Sequence, residues 1–259
     1  MRKLIVRSRN ISCTPLKQLE VPITTIYRMG SSTPTERILR NPNRRHIEIN
    51  TVEGCIVSGD KIKMKKAFDE AGVRHAEWFT YSSPRHFASK LAAFGTIIAK
   101  HKHSSRGRGI FLINTMDDFR ELQRNNNLSE FVFEKYYTYS REYRVHVTKD
   151  GCFYTSRKML ITGATERWHR HSSNSVFINE ENPNFCKPAT WDLIVADCIK
   201  AMKQLKLDIV AFDIKVNRNG DWILLESNSA PSLKEQGIAK YKQALTQIIN
   251  YKLCHDLLG

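Results

Sequence analysis

The stretch IVAFDIKVNRNGDWILLESN, residues 209–228, holds the residues whose types and spacing speak most directly of chemistry. It reads as two strands, Ile209–Val216 and Trp222–Asn228, around Asn219-Gly220, a dipeptide that favours a two-residue hairpin turn. Counting outward from that turn sets Arg218 against Asp221 and Asp213 directly opposite Glu226. Strand alternation sends Val210, Phe212, Ile214, Val216, Ile223 and Leu225 to the core and Asp213, Glu226 and Asn228 together to the other face. Directly opposed side chains lie roughly 4.5–5.5 Å apart at Cβ, where like charges repel. A cation is needed between them, and an all-oxygen set of Asp, Glu and Asn suits Mg2+ or Mn2+ and does not suit zinc. The competing reading is a solvated acidic face near Lys215.

A second hairpin, Glu142–Thr148 and Cys152–Lys158, flanks Lys149-Asp150-Gly151. With Asp150-Gly151 as its turn, Arg144 falls opposite Arg157, and Tyr143, Val145 and Val147 face the core. This pair repels with positive charge. A nucleotide phosphate or an acyl phosphate would relieve it, and arginine recognises such groups bidentately. A third element is Lys100 followed by HKHSSRGRG, whose glycines let backbone amides turn toward phosphate oxygens while Arg106 and Arg108 add charge. The loop fits neither the P-loop nor the dinucleotide-binding glycine pattern.

The elements that must position these groups follow from periodicity. KIKMKKAFDEAGV, from Asp60 onward, predicts a helix with Ile62, Ala67, Phe68 and Ala71 inward and Gly72 at its end. Ser83-Pro84 starts a second helix, Asp117–Asn125 reads as a third, and Thr190–Leu205 is amphipathic. Strands are expected at Thr96–Lys100, Ile110–Asn114 and Phe131–Tyr137. Residues 159–188 read as a long loop, and Ser232-Leu-Lys-Glu235 as a capping box opening the last helix.

Composition bounds the rest. The chain has 259 residues, 41 Lys+Arg against 26 Asp+Glu, a net charge of +15 and 41% hydrophobic residues. This is long enough for one large or two modest cores without disulfide or metal support. The positive surplus favours polyanions: nucleic acid, acidic peptides or phosphorylated small molecules. No run approaches the ~20 apolar residues of a membrane helix, and MRKLIVRSRN is unlike a signal peptide, so a cytoplasmic protein is expected. The six cysteines show no C-x-x-C spacing and are expected to be reduced. His101-x-His103 and His169-x-His171, without Cys or carboxylate partners at ligand spacing, read as loop histidines and not as a zinc site.

Taken in order over about residues 58–232, these elements resemble the ATP-grasp superfamily, and within it the glutamate ligases that modify a ribosomal protein and the glutathione-synthase-like carboxylate–amine ligases. SGDKIKMKKAFDEAGV resembles the family's first helix, which makes Lys61 a nucleotide lysine. TIIAKHKHSSRGRGIFLI resembles the strand lysine and glycine-rich flap, implying Lys100 on phosphate and Ser105, Arg106, Gly107 and Gly109 in the lid. FVFEKYY is similar to the linker that meets adenine, here Glu134, Lys135 and Tyr136, with Glu142 on ribose; Lys215 joins this nucleotide set. REYRVHV and the strand ending SRK resemble the positions of the catalytic arginines, Arg144 and Arg157, and DIKV with LLESNSAP resembles the metal signature, Asp213, Glu226 and Asn228. ERWHRHSSNSV is only loosely like the substrate loop, from which Arg167, His169, Arg170 and Asn174 are candidates for acceptor contact. The resemblance implies an α/β (α+β) ATP-grasp fold, two subdomains clasping ATP: residues 1–58 as a shortened amino-terminal segment, 59–134 as the central subdomain with the lid, and 135–259 as the carboxy-terminal subdomain with the metal site. It implies an ATP- and Mg-dependent ligase joining a carboxylate, expected to be an acidic peptide or protein, to an amine. Two alternatives stand beside it: a kinase of the same fold, and a basic nucleic-acid-binding protein using Tyr136, Tyr137 and Tyr139 as a stacking surface.

Overall fold

Local sequence writes the helix ends. In the computed structural model, which describes residues 1–8, 10–104 and 108–256, the Asp60 carboxylate accepts from the amides of Ile62 and Lys63 and so caps the helix Lys61–Ala71. Gly72 ends that helix at φ 61°, a left-handed conformation that costs glycine nothing. Ser83 caps Pro84–Phe94, and Thr115 and Asp118 form a reciprocal capping box on Met116–Asn125. The final helix, Glu235–Asp256, begins after the position that a Ser232 cap would give, and the Ser232 hydroxyl instead meets the Asn10 amide.

Two antiparallel sheets face each other across a cleft. One has four strands in the order Trp78–Thr80, Phe131–Lys135, Ile97–His101, Ile110–Ile113. Its core is aromatic: Phe79, Phe87, Phe119, Phe131 and Phe133 pack together, with the Phe87 and Phe119 rings stacked at 3.9 Å. The other has five strands in the order Ser175–Ile178, Gly151–Leu160, Arg141–Thr148, Val210–Val216, Trp222–Asn228. Tyr143, Val145, Val147, Phe212, Ile214 and Val216 cover its back with Ile194, Cys198 and Met202 of the helix Trp191–Gln204. Its outermost strand, Ser175–Ile178, lies inside the stretch expected to be loop.

Residues 5–49 contribute a small parallel sheet, Ile5–Arg7, Thr25–Arg28 and Ile47–Ile49, whose core is completed by Leu233, Ile238, Tyr241, Leu245 and Ile249 from the end of the chain. All six cysteines are free thiols. Among the described residues, no helix is long and apolar enough to cross a membrane.

The helix Val52–Gly59 runs from this front sheet into the five-stranded one, where Ser58 and Ser227 share a hydroxyl hydrogen bond of 2.9 Å. A Cβ on Gly54 would press on the carbonyl oxygens of Leu205 and Lys206, and backbone cannot yield as a side chain can. Gly54→Ala is therefore expected to destabilise the protein by about 1–3 kcal/mol, read as a lowered midpoint in urea, because overpacking forces the backbone to shift. An unchanged midpoint would show that this contact is loose.

Candidate active site

The Asp213–Glu226 pair forms, but by another route than a two-residue turn. Asn217–Asp221 is one longer connection in which the Asn217 side-chain oxygen accepts from the amides of Asn219 and Asp221 at 2.9 and 3.0 Å. The ladder begins at Val216 and Trp222, an irregularity follows Asp213, and pairing returns with Asp213 opposite Glu226. The extra residue absorbs the slip. It also moves Trp222 and Leu224 into the core, while Ile223 and Leu225, expected there, line the cleft.

The other hairpin departs from expectation. Thr148 pairs with Gly151, so Lys149-Asp150 make the turn, and a shift after His146 sets Arg144 opposite Ser156 and Arg157 opposite Tyr143. A one-residue change of register turns a side chain to the opposite face. Arg157 therefore lies on the core side with Tyr143, donates to the Asn184 carbonyl at 2.6 Å and does not line the cleft. Lys158 takes the inward place.

Two rows of charge result across the cleft face of the five-stranded sheet. In one, Glu142 lies between Lys158 and Lys215. In the next, Arg144 lies beside Asp213 and Asp213 beside Glu226. Arg144 holds both Asp213 oxygens, at 2.6 and 2.7 Å. Burial alone would raise the Asp213 pKa, but the Arg144 charge and hydrogen bonds outweigh it and hold that carboxyl below its usual range. Glu226 shifts the other way, raised by burial and by Asp213 beside it. The second row thus carries one negative charge more than its arginine answers.

Across the cleft, Glu134 is 2% exposed and meets Lys100 at 2.8 Å and Lys65 at 3.4 Å. Burial opposes its ionisation, but the two lysines prevail and bring its pKa to about 2. Its carboxylate holds the two lysines and lines the cavity, with Oε1 making no hydrogen bond among the described residues. Lys61 lines the cleft and donates to the Ser104 carbonyl. Lys65, which the sequence reading overlooked, shares a helix face with Lys61 through i, i+4 spacing, a signal that could have found it.

The cavity between the sheets measures about 900 Å3. It gathers Lys61, Lys100, Glu134, Lys135, Glu142, Arg144, His169, Arg170, Asp213, Lys215, Glu226 and Asn228 from the sequence candidates. It adds Lys158, Tyr137, Tyr139 and Phe177. Lys215, deeply buried, has its pKa brought down to about 7 by desolvation, against the pull of Glu142. Its Nζ sits 3.9 Å from the Tyr139 ring centroid, and the Arg170 guanidinium lies 4.3 Å from the same ring. Tyr136 lies outside the lining, its hydroxyl donating to the Trp168 carbonyl at 3.4 Å. Gly109 sits beside His101, its carbonyl accepting from the His101 amide at 2.9 Å, with φ 61°. Arg167 is exposed and does not line the cavity. Asn174 is buried with its amide bonded to the backbone of Glu166, His169 and His171, so it braces the loop and is not presented to an acceptor. Ser105, Arg106 and Gly107 lie outside the described residues.

Asp213, Glu226 and Asn228 fit a hard divalent cation. All three offer oxygen, and the Glu226 carboxylate has the excess charge that a cation would balance.

No family model matches the chain. It is 23% identical over 228 residues to coenzyme gamma-F420-2:alpha-L-glutamate ligase of Methanococcus maripaludis, covering 83% of this chain and 75% of that one. Its structure is similar to D-alanyl-alanine synthetase A from Vibrio cholerae, with TM-score 0.66, 14% identity and coverage of 90% and 77% of the two chains. The ATP-grasp ligase PsnB with a minimal precursor matches with TM-score 0.60, 16% identity and coverage of 86% and 75%. A PsnB structure holding a precursor variant, Mg and ADP matches with TM-score 0.55 at 13% identity, over 86% and 75% of the chains. The fold is the ATP-grasp fold.

Because the Glu226 pKa is raised in the folded state, its contribution favours folding at low pH and is lost as pH rises through the folded value. Glu226→Gln, without added metal or nucleotide, is expected to raise the melting temperature at pH 7.5, with the advantage shrinking toward pH 4. A melting temperature at or below wild type at pH 7.5 would mean that the lysines and Arg144 already neutralise this carboxylate.

Proposed function

We propose that this cleft is the active site of an ATP-dependent, ADP-forming carboxylate–amine ligase. The observation that carries the reading is the Asp213–Glu226 pair, the first buried and the second half-buried, facing Lys61 and Lys100 across one cavity. Phosphoryl transfer to a carboxylate needs charge neutralisation and exclusion of water more than it needs a protein nucleophile.

Lys61 and Lys100 bind the phosphate chain, with Lys100 aimed by Glu134. A divalent cation on Asp213, Glu226 and Asn228 would neutralise the β- and γ-phosphates. A substrate carboxylate oxygen attacks the γ-phosphorus, the bond to the ADP oxygen breaks, and an acyl phosphate forms. The amine then attacks the acyl carbon, the bond to phosphate oxygen breaks, and the amine nitrogen gives up a proton. Arg144, held rigidly on Asp213, faces the charge that develops. Lys215 Nζ, with its pKa near 7, can accept a proton at neutral pH.

An acidic acceptor agrees with the wall formed by Lys158, Arg170 and Lys215, which Glu142 alone offsets within its row. Arg170 Nε and Nη1 make no hydrogen bond among the described residues. Buried donors of this kind take an acceptor from a ligand or an ordered water, and a carboxylate would serve both. The relative named as a glutamate ligase points the same way.

The deciding assay incubates the protein with Mg2+, ATP, mixed amino acids and glutamate-containing peptides, and separates ADP from AMP. ADP and phosphate release that depends on both a carboxylate and an amine, and that Glu226→Gln abolishes, is the expected result. Release of AMP would overturn the reading, and ADP formed on a hydroxyl acceptor without an amine would reassign the site to a kinase. Within the same assay, Arg144→Ala is expected to lower turnover by about a hundredfold or more, as loss of a preorganised charge does. Arg157→Ala should leave turnover largely intact, since its side chain lies behind the sheet; an equal loss in both variants would contradict the register.

A further inference from the structure

We propose that Glu166, His169 and His171 form a second metal site, for a borderline transition-metal ion such as Zn2+, at the mouth of the cavity. The carboxylate spans two imidazoles. Glu166 Oε2 lies 3.1 Å from His171 Nε2, Glu166 Oε1 lies 3.8 Å from His169 Nδ1, and one ligand atom from each residue falls within 4.8 Å of the others. A tetrahedral zinc ion bonded at about 2.0–2.1 Å brings its donors to roughly 3.4 Å from one another. Small side-chain rotations close that difference. Two nitrogens and one oxygen suit zinc, copper or nickel, whereas the all-oxygen set on the sheet suits magnesium.

The three residues are held together by one buried amide. Asn174 Nδ2 donates to the carbonyls of Glu166 and His169, and its Oδ1 accepts from the His171 amide, at 3.0, 2.8 and 2.8 Å. Ser173 Oγ lies 2.7 Å from His171 Nδ1, placed to accept the proton that Nδ1 carries in the tautomer that coordinates through Nε2. Outer contacts of this kind fix the ring and tautomer of a metal-bound histidine. Three protein ligands leave a fourth position open, toward a cavity of about 630 Å3 whose lining includes Arg108. That guanidinium favours an anionic fourth ligand, hydroxide or a carboxylate.

Arg170 stands between the two histidines in sequence and points to Glu142 and Tyr139. An ion on its neighbours would fix the loop and with it the aim of Arg170 into the main cavity. The site stands on its own residues and does not depend on the ligase reading.

The test uses the full chain, treated with chelator and titrated with Co2+ as a spectroscopic probe. One equivalent giving a visible d–d band that Zn2+ displaces is the expected result. The band should vanish in His169→Ala/His171→Ala and persist in Glu226→Gln and in His101→Ala/His103→Ala. Asn174→Ala keeps every ligand and is expected to weaken affinity about 10–100-fold, as loss of an outer contact does. Should the double variant unfold, His171→Gln, which preserves bulk, serves in its place. Absence of a band with excess Co2+, or its survival in the histidine variants, would leave only a Glu–His ion-pair network and overturn the proposal.

Discussion

Two like charges pressed face to face inside a protein organise this molecule. Asp213 and Glu226 are neighbours on adjacent strands, the first buried and the second half-buried, and their repulsion has to be answered from nearby. Arg144 answers half of it through a bidentate pair. The remainder is charge held ready, at a site whose other donors are oxygens. A buried carboxylate that is only partly neutralised weakens the fold that carries it. Its placement among Lys61, Lys100 and Asn228 is what a cation- and phosphate-binding cavity requires.

The opposite sheet solves the complementary problem. Lys65 and Lys100 are both brought out of solvent, and Glu134 is the counter-charge they share. Desolvation brings the Lys65 pKa down to about 8 even with that partner. The geometry between the two sheets is set by backbone: the Leu224 amide donates to the Arg74 carbonyl at 2.8 Å, and the Lys61 amide to the Lys102 carbonyl at 3.1 Å. Because these bonds tie the helix Lys61–Ala71 to both sheets, its lysines reach the cavity without depending on flexible linkers.

The front and the end of the chain are structurally one unit. Leu4, Tyr27 and Ile49 share a core with Tyr241, Leu245 and Ile249. In the front segment each apolar stretch is only a few residues long, which is too short for a period to be read. Its parallel pairing rests on a partner helix some 200 residues away. The long loop was equally opaque, because nothing in ERWHRHSSNSV announces that the Asn174 side chain will fold it back on itself.

By itself the sequence determined which charged residues share the sheet that matters. The inward Tyr143, Val145 and Val147 and the helix starts at Asp60 and Ser83 follow from periods and propensities acting over a few residues, whereas Asp213 comes opposite Glu226 because a longer turn and a ladder irregularity offset each other. The fold resemblance was legible for the same reason, as its motifs are short and come in order. Tertiary structure alone decided the register of the second hairpin, and so exchanged Arg157 for Lys158 at the cavity. It also brought Glu166 against His169 and His171, and spent Glu134 on two lysines. Those outcomes turn on ladder irregularities and on contacts between distant segments. A one-residue bulge costs little energy yet reverses the face of every side chain beyond it, and local sequence carries no count of it.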